Sequence, residues 1–541
     1  MNNTPDFVTK RKKGAGEALN RFTRILKTEG APTAFRHAYQ YLTNPAINPL
    51  LRHFFYRQWI QKHEPSEQEL SFQRTRSQML PAKPLISLLV PVYNPPLDVI
   101  TDTLDSVTAQ TYPDWECCIA NGDVSNTALK SLLDDRAKAD PRFKVVHLEQ
   151  NLGIAGNTNA AAALATGSYA GFLDHDDMLA PFALFEVALT LWSDPEIDIL
   201  YSDEDNIDSS GKRVSPFFKP GFSPDLLRSM NYMCHFLVVR RSLGEELGWI
   251  RSGFEGAQDF DFILRATEKT NRVVRIAKIL YHWRSIAGSA AADDNAKPYA
   301  TVSGVKALEE HLKRLNTPGS AEPHYLPTWY RIRYDLQQEP KVSIIILNHD
   351  HADDLAKLLR SIHERSSYNN YEILIVENNS SQQAIFDLYA ALRGKDERVK
   401  ILEFNEPFNY SRANNFAANK ASGEVLLFLN NDMEIISPDW LEEMLVHAVR
   451  PAVGTVGAKL LFPNNTIQHA GVIVGIGKVA SHGHKGFDRA SIGYGGRLIL
   501  THNVAASTAA CLMMRKEVFQ QVGGFNEDYI LAYGDIDLCL R

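Results

Sequence analysis

The sequence predicts an α/β chain made of two tandem copies of one unit behind a helical preface, and three observations predict it. First, short apolar runs alternate with amphipathic stretches from residue 84 onward, the pattern of strands and crossover helices in a parallel sheet covered on both faces. Second, the chain repeats. Gly167-Ser-Tyr-Ala-Gly-Phe-Leu-Asp-His-Asp-Asp177 returns 256 residues later as Gly423-Glu-Val-Leu-Leu-Phe-Leu-Asn-Asn-Asp-Met433, and the same offset aligns Pro84-Leu-Ile-Ser87 with Pro340-Lys-Val-Ser343 and Asn159 with Asn415. A period this long marks a duplicated domain, since solenoid units run to roughly 20 to 50 residues. Third, the first copy has a buried strand that ends abruptly in three carboxylates, Asp174, Asp176 and Asp177, and the equivalent strand of the second copy ends in Asn430-Asn-Asp432, which places them at the rim of an open α/β sheet, where ligands bind.

In order, Phe35 to Trp59 and Glu67 to Met79 read as helices that carry no obvious chemistry. Pro81 and Pro84 close this region, 1–83, and the first copy follows over 84–317. Leu85 to Asn94 is a continuous apolar run, as in a strand buried on both faces. The expected series is then helix Leu97–Gln110, strand Trp115–Ala120, helix Thr127–Lys138, strand Phe143–Leu148, helix Asn157–Thr166 and strand Tyr169–Leu173. Residues 318–339, with four prolines and glycines, read as a linker to the second copy, 340–541. That copy carries about twenty extra residues, because Gln258 to Arg265 pairs with Gly534 to Arg541 at the larger offset of 276. The sequence stops at the equivalent of Arg265, so the second copy is expected to be truncated.

Composition narrows the function. With 541 residues, 44% hydrophobic and 22% charged, there is room for two or more globular domains. No apolar run approaches a membrane span and the first thirty residues lack a signal core, so a cytoplasmic protein is expected. A net charge of -7 argues against nucleic acid as the main partner. Residues 1–62 nevertheless hold eleven Lys/Arg against three Asp/Glu, with Lys10-Arg-Lys-Lys13 at their head. That excess reads either as a solvated arm or as a peripheral contact with an anionic inner membrane. The five cysteines are scattered without metal or disulfide spacing and read as small hydrophobes.

The chemistry starts at Asp174-His-Asp-Asp177. Asp174 and Asp176 cannot sit together ionised without a counter-charge, and Mg²⁺ or Mn²⁺ shared with substrate phosphates is the natural one. Ahead of them, Asn151-Leu-Gly-Ile-Ala-Gly156 has glycines that let a ligand approach the backbone, at a helix start that favours phosphate. Asp259 opens an apolar helix and reads as a cap or as a general base; His282 reads as a core histidine or a metal ligand. Arg412 reads as a diphosphate contact or as surface charge. His482 and His484 lie in a glycine-rich stretch without thiol or carboxylate companions, which speaks against zinc.

These motifs in combination resemble glycosyltransferase family 2, whose catalytic domain has the GT-A fold. The residues are Val90-Pro-Val-Tyr-Asn94, Asn151 to Asn159, Asp174 to Asp177, Tyr201-Ser-Asp-Glu-Asp205, Gln258-Asp259 and Tyr281-His-Trp-Arg284, then Glu377-Asn-Asn-Ser380, Asn430-Asn-Asp432, Ile467 to Gly471 and Gly534 to Arg541. The resemblance implies tandem transferases of bacterial surface polysaccharide assembly, such as O-antigen or rhamnose-containing glycans. It implies metal binding by Asp174, Asp176 and His282, and by Asp432 in the second copy. It implies donor contacts at Pro91, Tyr93, Asn121, Asp123, Asn151, Gly156, Asn159 and Asp174, and at Asn348, Glu377, Asn378, Arg412, Asn415 and Asn431. Asp259 and Asp535 would be the bases of an inverting displacement from a UDP- or dTDP-sugar to a glycan or lipid-linked glycan. Asn430 departs from the metal pattern, so the alternative is a second copy that only binds glycan or nucleotide. An oxidoreductase is excluded by Pro91-Val-Tyr-Asn94 standing where Gly-x-Gly-x-x-Gly would follow the first strand.

Overall fold

The computed structural model describes residues 49–284, 298–477 and 479–541, with side chains from residue 53; the basic arm at Lys10–Lys13 lies outside them. The described residues form two compact units. One holds 49–218, His235–Glu246 and 272–284; the other holds Lys219–Cys234, Leu247–Asn271 and 298–541.

The first unit is built on one nine-stranded sheet. Its strands are β1 (Ile86–Val92), β2 (Trp115–Asn121), β3 (Phe143–His147), β4 (Tyr169–Phe172), β5 (Met178–Leu179), β6 (Ile199–Ile207), β7 (Arg213–Phe217), β8 (Leu237–Arg240) and β9 (Val273–Arg284). The order is β3-β2-β1-β4-β8-β6-β9-β5, with β7 on β6. From β3 to β4 the sheet is parallel, as the alternation predicts. Beyond β4 it is not: β8 runs antiparallel to both β4 and β6, while β6 and β9 are parallel again. The parallel alternation read from the first four strands ends there, since β8 enters beside β4 from the opposite direction.

In the second unit, residues 318–339 hold an antiparallel ribbon of β10 (Gly319–Pro323) and β11 (Tyr330–Tyr334). A parallel set follows: β12 (Val342–Asn348), β13 (Tyr371–Glu377), β14 (Val399–Glu403) and β15 (Val425–Leu429). Short strands β16 (Val456–Gly457), β17 (Leu460–Leu461), β18 (Ile467–His469), β19 (Val472–Val474) and β20 (Ala480–His482) precede β21 (Cys511–Arg515). The main sheet runs β14-β13-β12-β15-β21-β16. Alternate residues of β12 enter opposite apolar layers, Ile344 with Leu355 and Leu441 on one side, Ile345 with Ala413 and Phe519 on the other. Asp225 belongs to this unit because Arg450 and Asn503 bond its carboxylate at 2.7 and 2.9 Å.

The repeat is exact in register. Ile86 pairs with Trp115 and Tyr169, and Val342 pairs with Tyr371 and Val425, each 256 residues on. One polar clasp recurs with it. In the first copy Ser87 and the Thr166 amide donate to the buried Glu116 at 2.7 and 2.6 Å, Gly167 N donates to Ser87 Oγ at 2.9 Å, and Lys144 pairs with Glu116 at 2.6 Å. In the second copy Ser343 and the Ser422 amide donate to Glu372 at 2.7 and 2.6 Å, Gly423 N donates to Ser343 Oγ at 2.9 Å, and Lys400 pairs with Glu372 at 2.8 Å. Only glycine fits at the closing corner, since a Cβ on Gly167 or Gly423 would stand 2.4 or 2.5 Å from the backbone carbonyl of Leu85 or Lys341, the residue just before the first strand of each copy.

Burial works against the charge on Glu116 and Glu372, but their lysines, hydroxyls and amides outweigh it and hold each carboxyl at about 2, below the ordinary 4.5. A depressed folded value means that the clasp stabilises fully above about pH 4.5 and loses its contribution as pH falls toward 2. Glu116→Gln and Glu372→Gln are expected to lose about 2 kcal/mol each at pH 7 by urea unfolding. The deficit should shrink below pH 4; an equal deficit at pH 7 and pH 3 would refute the assignment.

Candidate active site

β4 places the first carboxylate cluster. Pairing of β1 with β4 stops at Leu89 and Phe172, so the sheet splits there. Pro91 sits just past the split, where its missing N–H leaves no ladder bond to β4 broken, and its carbonyl pairs with His175 Nδ1 at 3.0 Å. Asp177 is fully buried, accepting from the Tyr281 hydroxyl at 2.6 Å and the Arg284 amide at 2.7 Å. Burial pushes its carboxyl up, and the negative charges of Asp174 and Asp176 push it further. Arg284 also holds the turn by donating to the Asp176 carbonyl at 3.0 Å.

His282 lies on β9 opposite Asp205 of β6 and Met178 of β5. Its Nδ1 bonds Asp205 at 2.6 Å. Asp205, fully buried, also takes hydrogen bonds from Tyr56 and, at 2.6 Å, from Arg213, which Glu64 holds in turn at 2.7 Å. Burial opposes the charge on Asp205, yet His282 and Arg213 hold its carboxyl below the ordinary range. The helical preface, which showed no chemistry in sequence, thus supplies two side chains that set this carboxylate. A carboxylate on one imidazole nitrogen leaves Nε2 to act as a ligand, the usual support of a metal-binding histidine. Among the described residues, however, no three His, Cys, Asp or Glu side chains gather closely enough to hold a metal ion. The expected set of Asp174, Asp176 and His282 is therefore not assembled by the protein alone. Asp174 and Asp176 carry like charges, which a bound cation would have to offset before they could close on one another.

The expected donor contacts divide. Tyr93 is half exposed at 51%. Asn121 is fully buried, bonding His147 Nδ1 at 3.1 Å and accepting from the Asp123 amide at 2.9 Å, which shapes the end of β2. Asn151 accepts from Asn157 and from Gly153 N, knitting the glycine loop, so that the helix starts at Gly153 and not Asn157; Asn159 falls inside it. Gly156 packs against Leu152, where a Cβ would stand at 2.4 Å. In the second copy Asn348 Oδ1 accepts from Asn431 at 2.9 Å, which joins β12 to the turn after β15. Glu377 accepts from Tyr389 at 2.6 Å, and Asn378 donates to the Phe404 and Glu406 carbonyls. Arg412 pairs with Glu406 and Glu527, and Asn415 donates to the Phe525 carbonyl. Asp432 is exposed.

A cavity of about 390 Å³ opens in the second copy, lined by Asn430, Asp535, His482, Tyr410 and Tyr533 among others. Asp535 is aimed by the amides of Ala509 and Ile536, at 3.0 and 2.9 Å from its two oxygens. Gly534 lets this short helix approach Ser411, whose Oγ would lie 3.0 Å from an added Cβ. At the equivalent helix, Asp259 is not the cap: Ala257 is, without a side-chain bond, and Asp259 accepts from Asn231 at 2.9 Å. The histidines of the extra segment also meet. His469, buried on β18, faces His482 of β20 with their Nδ1 atoms 2.8 Å apart. Sequence gave no sign of this pair, which depends on the β19–β20 hairpin turning the chain back.

The family model for glycosyl transferase family 2 matches residues 87–248 and 343–523, one stretch in each copy. The chain belongs to glycosyl transferase family 2. The tandem GT-A fold expected from sequence is accordingly the fold of this family 2 chain. Over 487 residues, 90% of this chain and 38% of the relative, it is 40% identical to the O-antigen biosynthesis protein RfbC of Myxococcus xanthus. It is 44% identical over 464 residues, 85% of this chain and 51% of the relative, to the uncharacterized protein y4gI of Sinorhizobium fredii. The chain thus spans about half or less of these curated relatives. A solved structure, Staphylococcus aureus TarS 1–349 with UDP-GlcNAc, aligns at 20% identity with a TM-score of 0.34, covering 42% of this chain and 72% of that one.

Burial first, and His482 second, lower His469 to about 4 from an ordinary 6.5. The neutral ring therefore stabilises the hairpin fully above pH 6.5, and this is lost as pH falls through 4. Hydrogen-exchange protection of Val472–Val474 and Ala480–His482 is expected to fall at least about tenfold over that window. His469→Asn should remove most of the pH dependence and leave the part that belongs to His482.

Proposed function

We propose that this family 2 chain transfers sugars from nucleotide-diphosphate donors to a growing bacterial surface polysaccharide of the O-antigen kind, with inversion at the anomeric carbon. The observation that carries this reading is the second-copy cavity, which brings Asn430, the first residue of the turn after β15, and Asp535 to one space. The identity with an O-antigen biosynthesis protein over 90% of the chain supports the substrate class. A UDP- or dTDP-sugar is the proposed donor and a glycan or lipid-linked glycan the acceptor.

The chemistry is a single displacement. Asp535, and Asp259 in the first copy, takes the proton of an acceptor hydroxyl. The hydroxyl oxygen forms a bond to the anomeric carbon as the bond from that carbon to the diphosphate oxygen breaks, and the diphosphate leaves with the electron pair. The amides on Asp535 fix where its free lone pairs point, so the hydroxyl meets an oriented base. Mg²⁺ or Mn²⁺, held by Asp174 and Asp176 and by Asp432 with the donor's own phosphate oxygens, would stabilise charge on the departing diphosphate. The crowding of Asp174 and Asp176, felt at Asp177, is what makes a cation welcome there. No helix among the described residues is long and apolar enough to cross a membrane. We place the protein in the cytoplasm, with its basic N-terminus at the inner membrane where lipid-linked acceptors lie.

A second reading, in which the second copy only binds glycan or nucleotide, is favoured by Asp432 being the single carboxylate of its motif. Release of nucleoside diphosphate from a panel of nucleotide sugars, with Mn²⁺ or with EDTA, separates the two. Asp259→Ala and Asp535→Ala should each slow release from one donor by about 10²- to 10⁴-fold while donor binding persists. Loss in Asp259→Ala alone would make the second copy a binding module, and release insensitive to EDTA and to Asp176→Ala would end the metal assignment.

A further inference from the structure

The His469–His482 pair has a direction. The amides of Gly471 and Thr508 both point at His469 Nε2, at 3.3 and 3.4 Å, so that nitrogen accepts and carries no proton. The proton of neutral His469 then sits on Nδ1 and is donated to His482 Nδ1, 2.8 Å away. His482 is left with its own proton on Nε2, on the ring edge away from His469. Burial lowers both rings' affinity for a second proton, so both are neutral near pH 7. His482 lines the same cavity as Asp535.

A ring with its N–H fixed at Nε2 and an aimed carboxylate thus belong to two residues that line one cavity, among apolar and aromatic residues such as Val472, Ala480, Ala509 and Tyr410. A hydroxyl accepts from one and donates to the other, and a sugar ring is the ligand that presents hydroxyls between apolar C–H faces. We propose that His482 is a positioning residue for the acceptor glycan in the second copy, its Nε2–H donating to the hydroxyl whose proton Asp535 takes. This rests on reading the second copy as a transferase. It also gives the extra segment a purpose: about twenty residues absent from the first copy bring a neutral donor to a site in which Asn430 stands where the first copy has Asp174.

The experiment uses the full chain labelled with ¹⁵N-histidine, and methyl glycosides of rhamnose, glucose and N-acetylglucosamine as probes. Long-range proton–nitrogen spectra should show His482 protonated at Nε2 alone, and a mixture of tautomers in His469→Ala. At least one probe should shift the His482 Nε2 resonance. It should bind His482→Phe about tenfold more weakly, the loss expected when one neutral hydrogen bond is removed and its partner left unpaired. His482→Gln, whose amide reaches the Nε2 position, should recover most of the affinity. A wild-type His482 protonated at Nδ1, affinity unchanged in His482→Phe, or silence of His482 toward all three probes would each overturn the proposal. Failure of the transferase reading looks different: no donor yields nucleoside diphosphate, whatever the spectra of His482 show.

Discussion

A buried glutamate in the second strand of each sheet is the constraint on which both copies depend. Glu116 and Glu372 sit among strands buried on both faces, where an unpaired carboxylate would cost several kcal/mol. Each is answered by a lysine from the third strand, a serine from the first, and the backbone just before the fourth. The clasp therefore ties four strands together at one end of the sheet and fixes the entry of β4 and β15. The carboxylate turns at the other ends of β4 and β15 inherit their position from it. A strand only four or five residues long carries that registration from the clasp to the chemistry.

The copies agree in scaffold and differ in what they present. The first shows three carboxylates and an imidazole already oriented by Asp205. The second shows Asn430-Asn-Asp432, an aimed Asp535 and a histidine pair from its extra segment. Negative charge is reduced in the second site and a neutral hydrogen-bond donor added. Such a difference fits the proposal of two transferases that act on different donors or acceptors, with Asp259 and Asp535 as their proposed bases.

Much of the scaffold was legible because its signals are local. Continuous apolar runs marked β1 and β2 to within a residue or two, and the single offset of 256 foretold a pairing register that holds residue for residue. Glu116, a charge inside an apolar strand, was visible in Trp115-Glu-Cys-Cys but acquires meaning only when Lys144 and Gly167 arrive from distant positions. The half of the first sheet beyond β4 escaped for the same reason, since β4 meets β8 antiparallel and β6 meets β9 parallel only across long stretches of intervening chain. At the site, the motifs fell on the turns after β4 and β15, and on the helix that starts at Gly153, four residues before the start expected from sequence. They did not show that Asn121 and Asn378 are committed to holding loops, that Tyr56 and Glu64 of the preface set Asp205, or that His469 and His482 meet.

The claim that both copies bind a nucleotide donor is tested most directly by equilibrium dialysis of UDP, dTDP and GDP against the full chain in Mn²⁺. Two nucleotides bound per chain, one lost in Asp176→Ala and the other in Asp432→Ala, is the predicted result. One nucleotide per chain, lost in Asp176→Ala and untouched by Asp432→Ala, would contradict it.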